Sequence, residues 1–143
     1  ITDLVFKKVF MTVELSFIDT RQKTPLLVAG RKSHGETMKI GIIIYSDDSE
    51  TVWNAFRFGN FALAGGDCVK VFLLGKGVEC ESLDTSKFVV TEQMRLLVGA
   101  GGEIFACGSC LKIRQSEGSE VCPLSTMQDL YKIVTESDKT VTF

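Results

Sequence analysis

Histidine and long apolar runs are scarce in this sequence, which has one histidine among 143 residues. Because His34 lies near the amino terminus, the chain from Met38 onward has no histidine for a Ser/His/Asp triad. The runs GIIIY and VFLLG fall far short of the roughly 20 residues of a membrane-spanning helix. No stretch has the layout of a signal peptide. We therefore expect a cytoplasmic protein that does not associate with membranes.

A marked excess of one charge is also missing. The chain has 16 Lys and Arg against 18 Asp and Glu, for a net charge of −2. Without a basic patch, nucleic acid is not an expected partner. A length of 143 residues with 45% hydrophobic residues is enough for one ordinary domain that needs neither disulfide nor metal to fold.

Strand and helix patterns alternate from Met38 to the end of the chain. The apolar runs MKIGIIIYS, DCVKVFLLG and GEIFAC predict strands, KTVTF predicts a short closing strand, and a further short strand is possible near Val121. Residues 76–86 between the second strand and the next helix have the character of a loop. The alternation predicts a three-layer α/β/α fold with a mostly parallel sheet of about five strands, flavodoxin-like in appearance.

Two helices have clear sequence signals. TVWNAFRFGNFALAGG predicts a helix with Ser49 as N-cap and Gly65-Gly66 as its stop. STMQDLYKIVTESD predicts an amphipathic helix with one apolar face, made of Met127, Leu130, Tyr131 and Val134.

Residues 1–37 differ from the remainder. KKVFMTVELSFID alternates apolar and polar residues, as an exposed or edge strand does, and a linker-like stretch follows. We expect residues 1–37 to be an added arm and residues 38–143 to form the functional domain.

The five cysteines carry most of the functional information. An odd number without a secretory signal argues against a disulfide scaffold. Cys68 and Cys80 stand alone, and we expect both to be packing residues. Cys107 and Cys110 form a C-x-x-C pair in GEIFACGSCLKIRQ, between a predicted strand and a predicted helix. Cys122 lies in a loop that should run over the same sheet edge.

Chemistry in open parallel sheets collects at the carboxyl ends of the strands, where Cys107 is expected. Gly108 would allow a sharp turn that leaves the thiol uncrowded, and Ser109 would cap the helix. Unpaired N–H groups at the helix start, with Lys112 and Arg114 one turn further on, would favour a thiolate or an anionic substrate.

Four interpretations of the pair remain open. A zinc site is disfavoured, because no second C-x-x-C or Cys/His pair accompanies it. A thioredoxin-like redox pair would use Cys110 as the resolving thiol, although Ala106, not an aromatic residue, precedes the motif. A single nucleophilic thiolate at Cys107 could hold sulfur as a persulfide. Finally, both cysteines could simply be packing residues.

Other motifs indicate no cofactor. Asp47 and Asp48 end the first strand but are more typical of helix caps than of catalysts. The glycine-rich stretches GGDCVK and GAGGE match neither a dinucleotide fingerprint nor a P-loop. We therefore expect neither a cofactor nor a metal.

Several stretches together resemble the DsrE/DsrF-like sulfur-relay proteins, which include subunits of the Dsr and Tus complexes. They are MKIGIIIYS, TVWNAFRFGNFAL, VKVFLLGKGVE, GGEIFACGSCLKIR and STMQDLYKIVTESDKTVTF. The resemblance implies a parallel α/β sheet and a homo-oligomer, such as a trimer or hexamer. It also implies that a cysteine at the position of Cys107 carries sulfur as a persulfide.

The leading hypothesis is therefore a sulfur carrier or sulfurtransferase. Cys107 would take sulfane sulfur from a donor protein or small persulfide and pass it to an acceptor. The two competing classes are a thiol–disulfide oxidoreductase using Cys107 and Cys110, and a non-catalytic oligomeric binding module.

Overall fold

Strands and helices alternate along residues 37–143, the range that this computed structural model describes. The strands are β1 (Lys39–Ile44), β2 (Cys68–Leu73), β3 (Glu103–Cys107), β4 (Leu124–Ser125) and β5 (Lys139–Thr142). The helices are α1 (Ser49–Ala64), α2 (Val90–Gly99), α3 (Gly108–Ile113) and α4 (Met127–Glu136), with a 3-10 helix at Gly75–Ser82. The arm expected over residues 1–37 lies, except for its last residue, outside this range.

The five strands form one sheet in the order β4-β3-β2-β1-β5, and every neighbouring pair is parallel. Successive strands from β1 to β4 lie side by side, and the connection through α4 then returns across the sheet to place β5 beside β1. This confirms the predicted parallel α/β sheet. The short strand expected near Val121 is β4.

Helices cover both faces of the sheet. A Cβ built on Gly59 of α1 would lie 3.2 Å from the Cδ1 of Ile42 in β1 and 2.8 Å from the Cδ1 of Leu97 in α2. The neighbouring Gly41 faces the other way, where an added Cβ would lie 3.0 Å from the Cγ2 of Ile133 in α4. Because adjacent strand residues face opposite sides, α1 and α2 form one layer and α4 lies in the other. The α/β/α architecture is thereby confirmed.

The ends of α1 differ in part from the prediction. The N-cap is Asp48, not Ser49, and the Oδ1 of Asp48 accepts the N–H of Thr51 at 2.8 Å. Aspartate and serine cap equally well, so composition alone does not choose between adjacent candidates. The predicted stop is confirmed, since Gly65 is the C-cap and Gly66 follows with φ +89°.

The face of α4 that packs against the sheet is not centred on the predicted residues but on a neighbouring stripe of the helix. The buried residue is Ile133, whereas the side chains of Met127, Tyr131 and Val134 are 60%, 69% and 45% exposed. An apolar helix offers two adjacent stripes, and the docking of α4 on β1 and β2 decides which one faces the sheet. Of the predicted stripe, Leu130 is partly buried and packs against the core, whereas the other three residues are exposed in the single chain.

The segment expected to be a loop over residues 76–86 begins with the 3-10 helix Gly75–Ser82. This helix passes so close to β1 that a Cβ on Gly77 would lie 2.3 Å from the carbonyl oxygen of Ile44. Only glycine permits that approach without a backbone shift. Within residues 37–143, the helices are all too short or too polar to cross a bilayer.

Candidate functional site

Cys107 is the last residue of β3 and the residue from which α3 begins. Its backbone has φ −59° and ψ 111°, and its side chain makes no capping hydrogen bond. The cysteine thus lies at the carboxyl edge of the sheet, at the junction between strand and helix. Ser109 lies inside α3 and does not occupy the N-cap position, so the expected capping role for this serine is wrong. The strand ends at Cys107, as predicted, and α3 begins directly after it at Gly108, which makes Cys107 the N-cap.

The Cys107 thiol is less accessible than expected, because the residue is only 3% exposed. In the parallel register Cys107 pairs with Ser125 of β4, which is itself buried. The short strand β4 therefore extends the sheet alongside the cysteine, a pairing that the spacing of the motif does not reveal. The expectation of an uncrowded thiol is wrong for this conformation.

Gly108 serves close packing more than a sharp turn. A Cβ at this position would lie 3.0 Å from the Cδ2 of Leu124 and 3.2 Å from the carbonyl oxygen of Ser125. Glycine therefore lets the start of α3 press against β4. A larger side chain at this position would push the two elements apart, next to Cys107.

Cys110 lies beside Cys107 and is partly exposed. Its Sγ accepts the N–H of Gly75, at a distance of 3.3 Å from the nitrogen. Burial raises the pKa of the Cys110 thiol, and the neighbouring Cys107 thiol raises it further, while the N–H of Gly75 and the charge of Arg114 act in the opposite direction. The two thiols therefore form a pair, held between the start of α3 and the end of β2.

Arg114 reaches this thiol pair, whereas Lys112 has no ionic partner there. The Nε of Arg114 lies 2.8 Å from the Oε2 of Glu79, and its Nη1 donates to the carbonyl oxygen of Cys110 at 3.2 Å. The guanidinium is held beside the cysteines, although Glu79 offsets part of its charge. Lys112 is exposed in the last turn of α3 and, among residues 37–143, forms no ion pair. Its proposed electrostatic role stays a prediction.

The remaining cysteines occupy different places. Cys80 is fully buried, which confirms its expected packing role. Cys122 is also buried, and its thiol is a neighbour of Cys80. Cys68 is exposed at the first position of β2, so the expectation that it packs in the core is wrong. A strand's first residue can project beyond the helices that cover the sheet.

The carboxylates that follow β1 are structural, as predicted. Asp48 caps α1, and the Oδ2 of Asp47 lies 2.8 Å from the Nζ of Lys76 in the 3-10 helix. The hydrogen bond from Lys76 lowers the pKa of Asp47, and the same contact raises the pKa of Lys76. Both aspartates are therefore already committed to local contacts.

Comparisons with known proteins decide the family. The sequence model of the DsrE/DsrF-like family matches residues 38–143. The chain belongs to the DsrE/DsrF-like family. It is 35% identical to the uncharacterized protein MJ0989 of Methanocaldococcus jannaschii over 114 residues, which cover 74% of this chain and all of that protein. It is also 35% identical to the uncharacterized protein MK0008 of Methanopyrus kandleri over 100 residues, covering 66% of this chain and 83% of that one.

Solved structures show the same fold. The crystal structure of the YchN protein from E. coli superposes with a TM-score of 0.63 at 16% identity, over 76% of this chain and all of that chain. A conserved protein of unknown function from Bacteroides thetaiotaomicron, BT1422, gives a TM-score of 0.60 at 18% identity, over 73% of this chain and 94% of that one. At these identities the likeness shows the DsrE-like fold alone.

A cavity in this DsrE/DsrF-like chain lies away from the cysteine pair. It has a volume of about 230 Å³ and is lined by Cys68, Lys70, Glu103 and Glu136, among others. Cys68 and Glu103 begin their strands, which places the cavity at the amino ends, opposite the edge of Cys107. In the described part of the chain, groups of three or more His, Cys, Asp or Glu residues that could hold a metal ion do not occur.

Sequence reasoning missed two residues of the site. Gly75 donates to the Cys110 thiol, and Glu79 pairs with Arg114, yet both lie 35 positions away along the chain from their partners. The sequence carries only a coarse signal, since the alternation of strands and helices predicts a parallel sheet without giving its strand order. Because β2 and β3 are neighbours in a parallel sheet, the residues that follow β2 must meet those that follow β3.

Proposed function

We propose that this protein is a sulfur-relay protein that carries sulfane sulfur as a persulfide on Cys107. The observation that carries the proposal is the position of Cys107 in a DsrE/DsrF-like chain. It ends a central strand, begins a helix and has a second thiol beside it. The N–H groups at a helix start favour a negative charge, which a nucleophilic sulfur needs.

The proposed transfer balances without an external oxidant. The Cys107 thiolate attacks the terminal sulfur of a donor persulfide, R–S–SH. A new S–S bond forms on Cys107, the donor S–S bond breaks, and R–S⁻ leaves with the electron pair. An acceptor thiolate then attacks the terminal sulfur on Cys107 in the same way, which regenerates the Cys107 thiolate. The donor and acceptor are persulfide and thiol groups, of proteins or of small molecules.

Cys110 has a distinct part in this proposal. Because its pKa is raised by burial and by Cys107, Cys110 keeps its proton at neutral pH. Its S–H can then donate to an anionic sulfur on Cys107, and the N–H of Gly75 holds the Cys110 sulfur in place. Arg114 adds positive charge nearby.

Access to Cys107 requires a local opening. The thiol is buried, but α3 has only six residues and Leu111 is its single buried side chain. Short elements with few buried contacts open at little cost in free energy. We therefore place the path of the donor at the start of α3, beside Cys110.

The contact between the two thiols also supports a second candidate, a thiol–disulfide oxidoreductase. An ionised Cys110 would attack the inner sulfur of a persulfide on Cys107, forming a Cys107–Cys110 disulfide and releasing HS⁻. This reaction competes with transfer to an acceptor. The raised pKa of Cys110 slows it, which is why we favour the carrier.

Intact-mass measurement after incubation with sodium polysulfide tests the proposal. The parent is Cys68→Ser, which removes the exposed thiol, and it is compared with Cys107→Ser and Cys110→Ser made in that background. We expect a gain of about 32 Da, one sulfur atom, that is reversed by dithiothreitol and lost only with Cys107→Ser.

Other outcomes identify the alternatives. A loss of about 2 Da that requires both Cys107 and Cys110 would replace the carrier by the redox pair. An unchanged mass in every sample would leave a non-catalytic binding module. The homo-oligomer and the cytoplasmic location stay predictions. The reducing cytoplasm would keep these thiols available.

A further inference from the structure

Two buried cysteines form a second cluster outside the candidate site. Cys80 lies in the 3-10 helix after β2 and is fully buried, and Cys122 lies two residues before β4 and is 3% exposed. Both are free thiols. Neither has a part in the proposed chemistry at Cys107.

On either side of Cys80, side-chain contacts join the 3-10 helix to residues 114–122. The Oγ of Ser119 donates to the Oε1 of Glu81 at 2.9 Å and accepts the N–H of Cys122 at 3.1 Å. On the other side of Cys80, Glu79 pairs with Arg114 at 2.8 Å. The residues that flank Cys80 thus contact Arg114 and Ser119, and Ser119 in turn accepts the backbone N–H of Cys122.

The side chains of Cys80 and Cys122 are neighbours within the core. The parallel pairing of Ala106 with Leu124 sets the register of the chain that enters β4. The Sγ of Cys80 lies 3.7 Å from the Sδ of Met94 in α2. The adjacent Cys122 thiol raises the pKa of the Cys80 thiol, and burial adds to this effect. Because both side chains are buried, an oxidant has no access to them while the core is closed.

We propose that Cys80 and Cys122 are a second dithiol, distinct from Cys107 and Cys110, that a peroxide oxidises reversibly to an intramolecular disulfide. Opening of the largely exposed stretch from Gln115 to Val121 gives the oxidant its access. One thiolate attacks the peroxide, its sulfur becomes a sulfenic acid, and the O–O bond breaks. The second thiol displaces the sulfenic oxygen as water. With hydrogen peroxide the sum is two thiols and one H2O2 giving one disulfide and two waters.

A disulfide between Cys80 and Cys122 would covalently join the 3-10 helix to the segment that precedes β4. The 3-10 helix supplies Gly75 and Glu79 to the cysteine pair, and the segment ending at Cys122 begins at Arg114. Joining them restricts their separation and closes a long loop, which disfavours the unfolded chain. Oxidation is therefore expected to raise the Tm by several degrees.

Trypsin distinguishes the possible disulfides in the wild-type chain. It places Cys80 in peptide 77–87, Cys122 in 115–132, Cys68 in 58–70, and Cys107 with Cys110 together in 96–112. Folded protein is treated with hydrogen peroxide, alkylated in denaturant and digested. We expect a cross-linked 77–87/115–132 peptide that disappears after dithiothreitol.

The controls separate this proposal from the function of Cys107. The cross-link should persist in Cys107→Ser/Cys110→Ser and should be lost in Cys122→Ala. Failure of persulfide formation on Cys107 would leave this result unaffected. The proposal is overturned if both peptides stay alkylated while 96–112 becomes oxidised. A cross-link that forms only in urea-unfolded protein would overturn it equally.

Discussion

The Sγ of Cys110 accepts the backbone N–H of Gly75 at 3.3 Å and thereby joins the first turn of α3 to the residue that follows Leu74, next to the end of β2. This contact gives the second cysteine of the C-x-x-C pair a fixed position relative to the sheet. It also supplies a partial positive charge to the sulfur. The electrostatics of the pair therefore depend on a segment distant in sequence.

The pKa of Cys110 should respond in opposite directions to two substitutions. In Cys107→Ala the neighbouring thiol that raises the pKa of Cys110 is gone, so the pKa should fall. In Arg114→Gln a positive charge that lowers it is removed, so the pKa should rise. The measurement is the alkylation rate of Cys110 with iodoacetamide from about pH 6 to about 10.

Alkylation of the exposed Cys68 serves as the internal control, because it should be unchanged in both variants. If the pH midpoint of Cys110 alkylation moves in the same direction in both variants, the assigned roles of Cys107 and Arg114 are incorrect.

Gly77 should tolerate no side chain. In Gly77→Ala the new Cβ would meet the backbone oxygen of Ile44 at 2.3 Å, and backbone cannot rotate away as a side chain can. We expect a loss of about 1–3 kcal/mol in the free energy of unfolding, measured in urea. The matched control is Gly99→Ala, whose added methyl meets no atom within 4 Å at the end of α2. That variant should be neutral or more stable by up to about 1 kcal/mol.

The docking face of α4 can be tested with two adjacent residues. Ile133 is 4% exposed and packs against β1, while Val134 is 45% exposed. Ile133→Ala should cost about 2–4 kcal/mol in the free energy of unfolding. Val134→Ala should change it by less than about 0.5 kcal/mol. A larger effect at Val134 than at Ile133 would show that α4 presents the other stripe to the sheet.

The protein should lose stability in acid, because carboxylates that accept hydrogen bonds in the folded state become protonated. Hydrogen bonds from Thr51 lower the pKa of Asp48 in the folded state. Because the pKa of Asp48 is lower in the folded state than in the unfolded state, ionised Asp48 stabilises the fold fully at pH values above its unfolded pKa. This stabilisation is lost as the pH falls and the carboxylate becomes protonated. The Tm should therefore decrease below about pH 4. In Asp48→Asn the amide oxygen still caps α1 but does not titrate, so the decrease should be smaller.

The same decrease in wild type and in Asp48→Asn would remove Asp48 as a source of the acid effect. A large loss of Tm at neutral pH in Asp48→Asn would mean that the charge, and not the capping hydrogen bond, stabilises α1.

The sequence by itself determined the elements and their connectivity. Continuous apolar runs at β1, β2 and β3 indicate strands buried on both faces, and the helices between them require parallel pairing. The position of Cys107 at the carboxyl edge follows from that order alone, since a strand ending in cysteine and followed by a helix must present it there. The family resemblance rests on the same stretches.

Only the tertiary structure decided how accessible each thiol is and what lies beside it. Cys107 is buried, and it pairs with Ser125 in the two-residue strand β4, which is too short for a periodic signal. The contact of Cys80 with Cys122 spans more than 40 positions and lies in segments without regular patterning. Local propensity and periodicity report on neighbours a few positions apart. Packing of distant segments settles which side chains meet, because it is governed by the shape of the whole core.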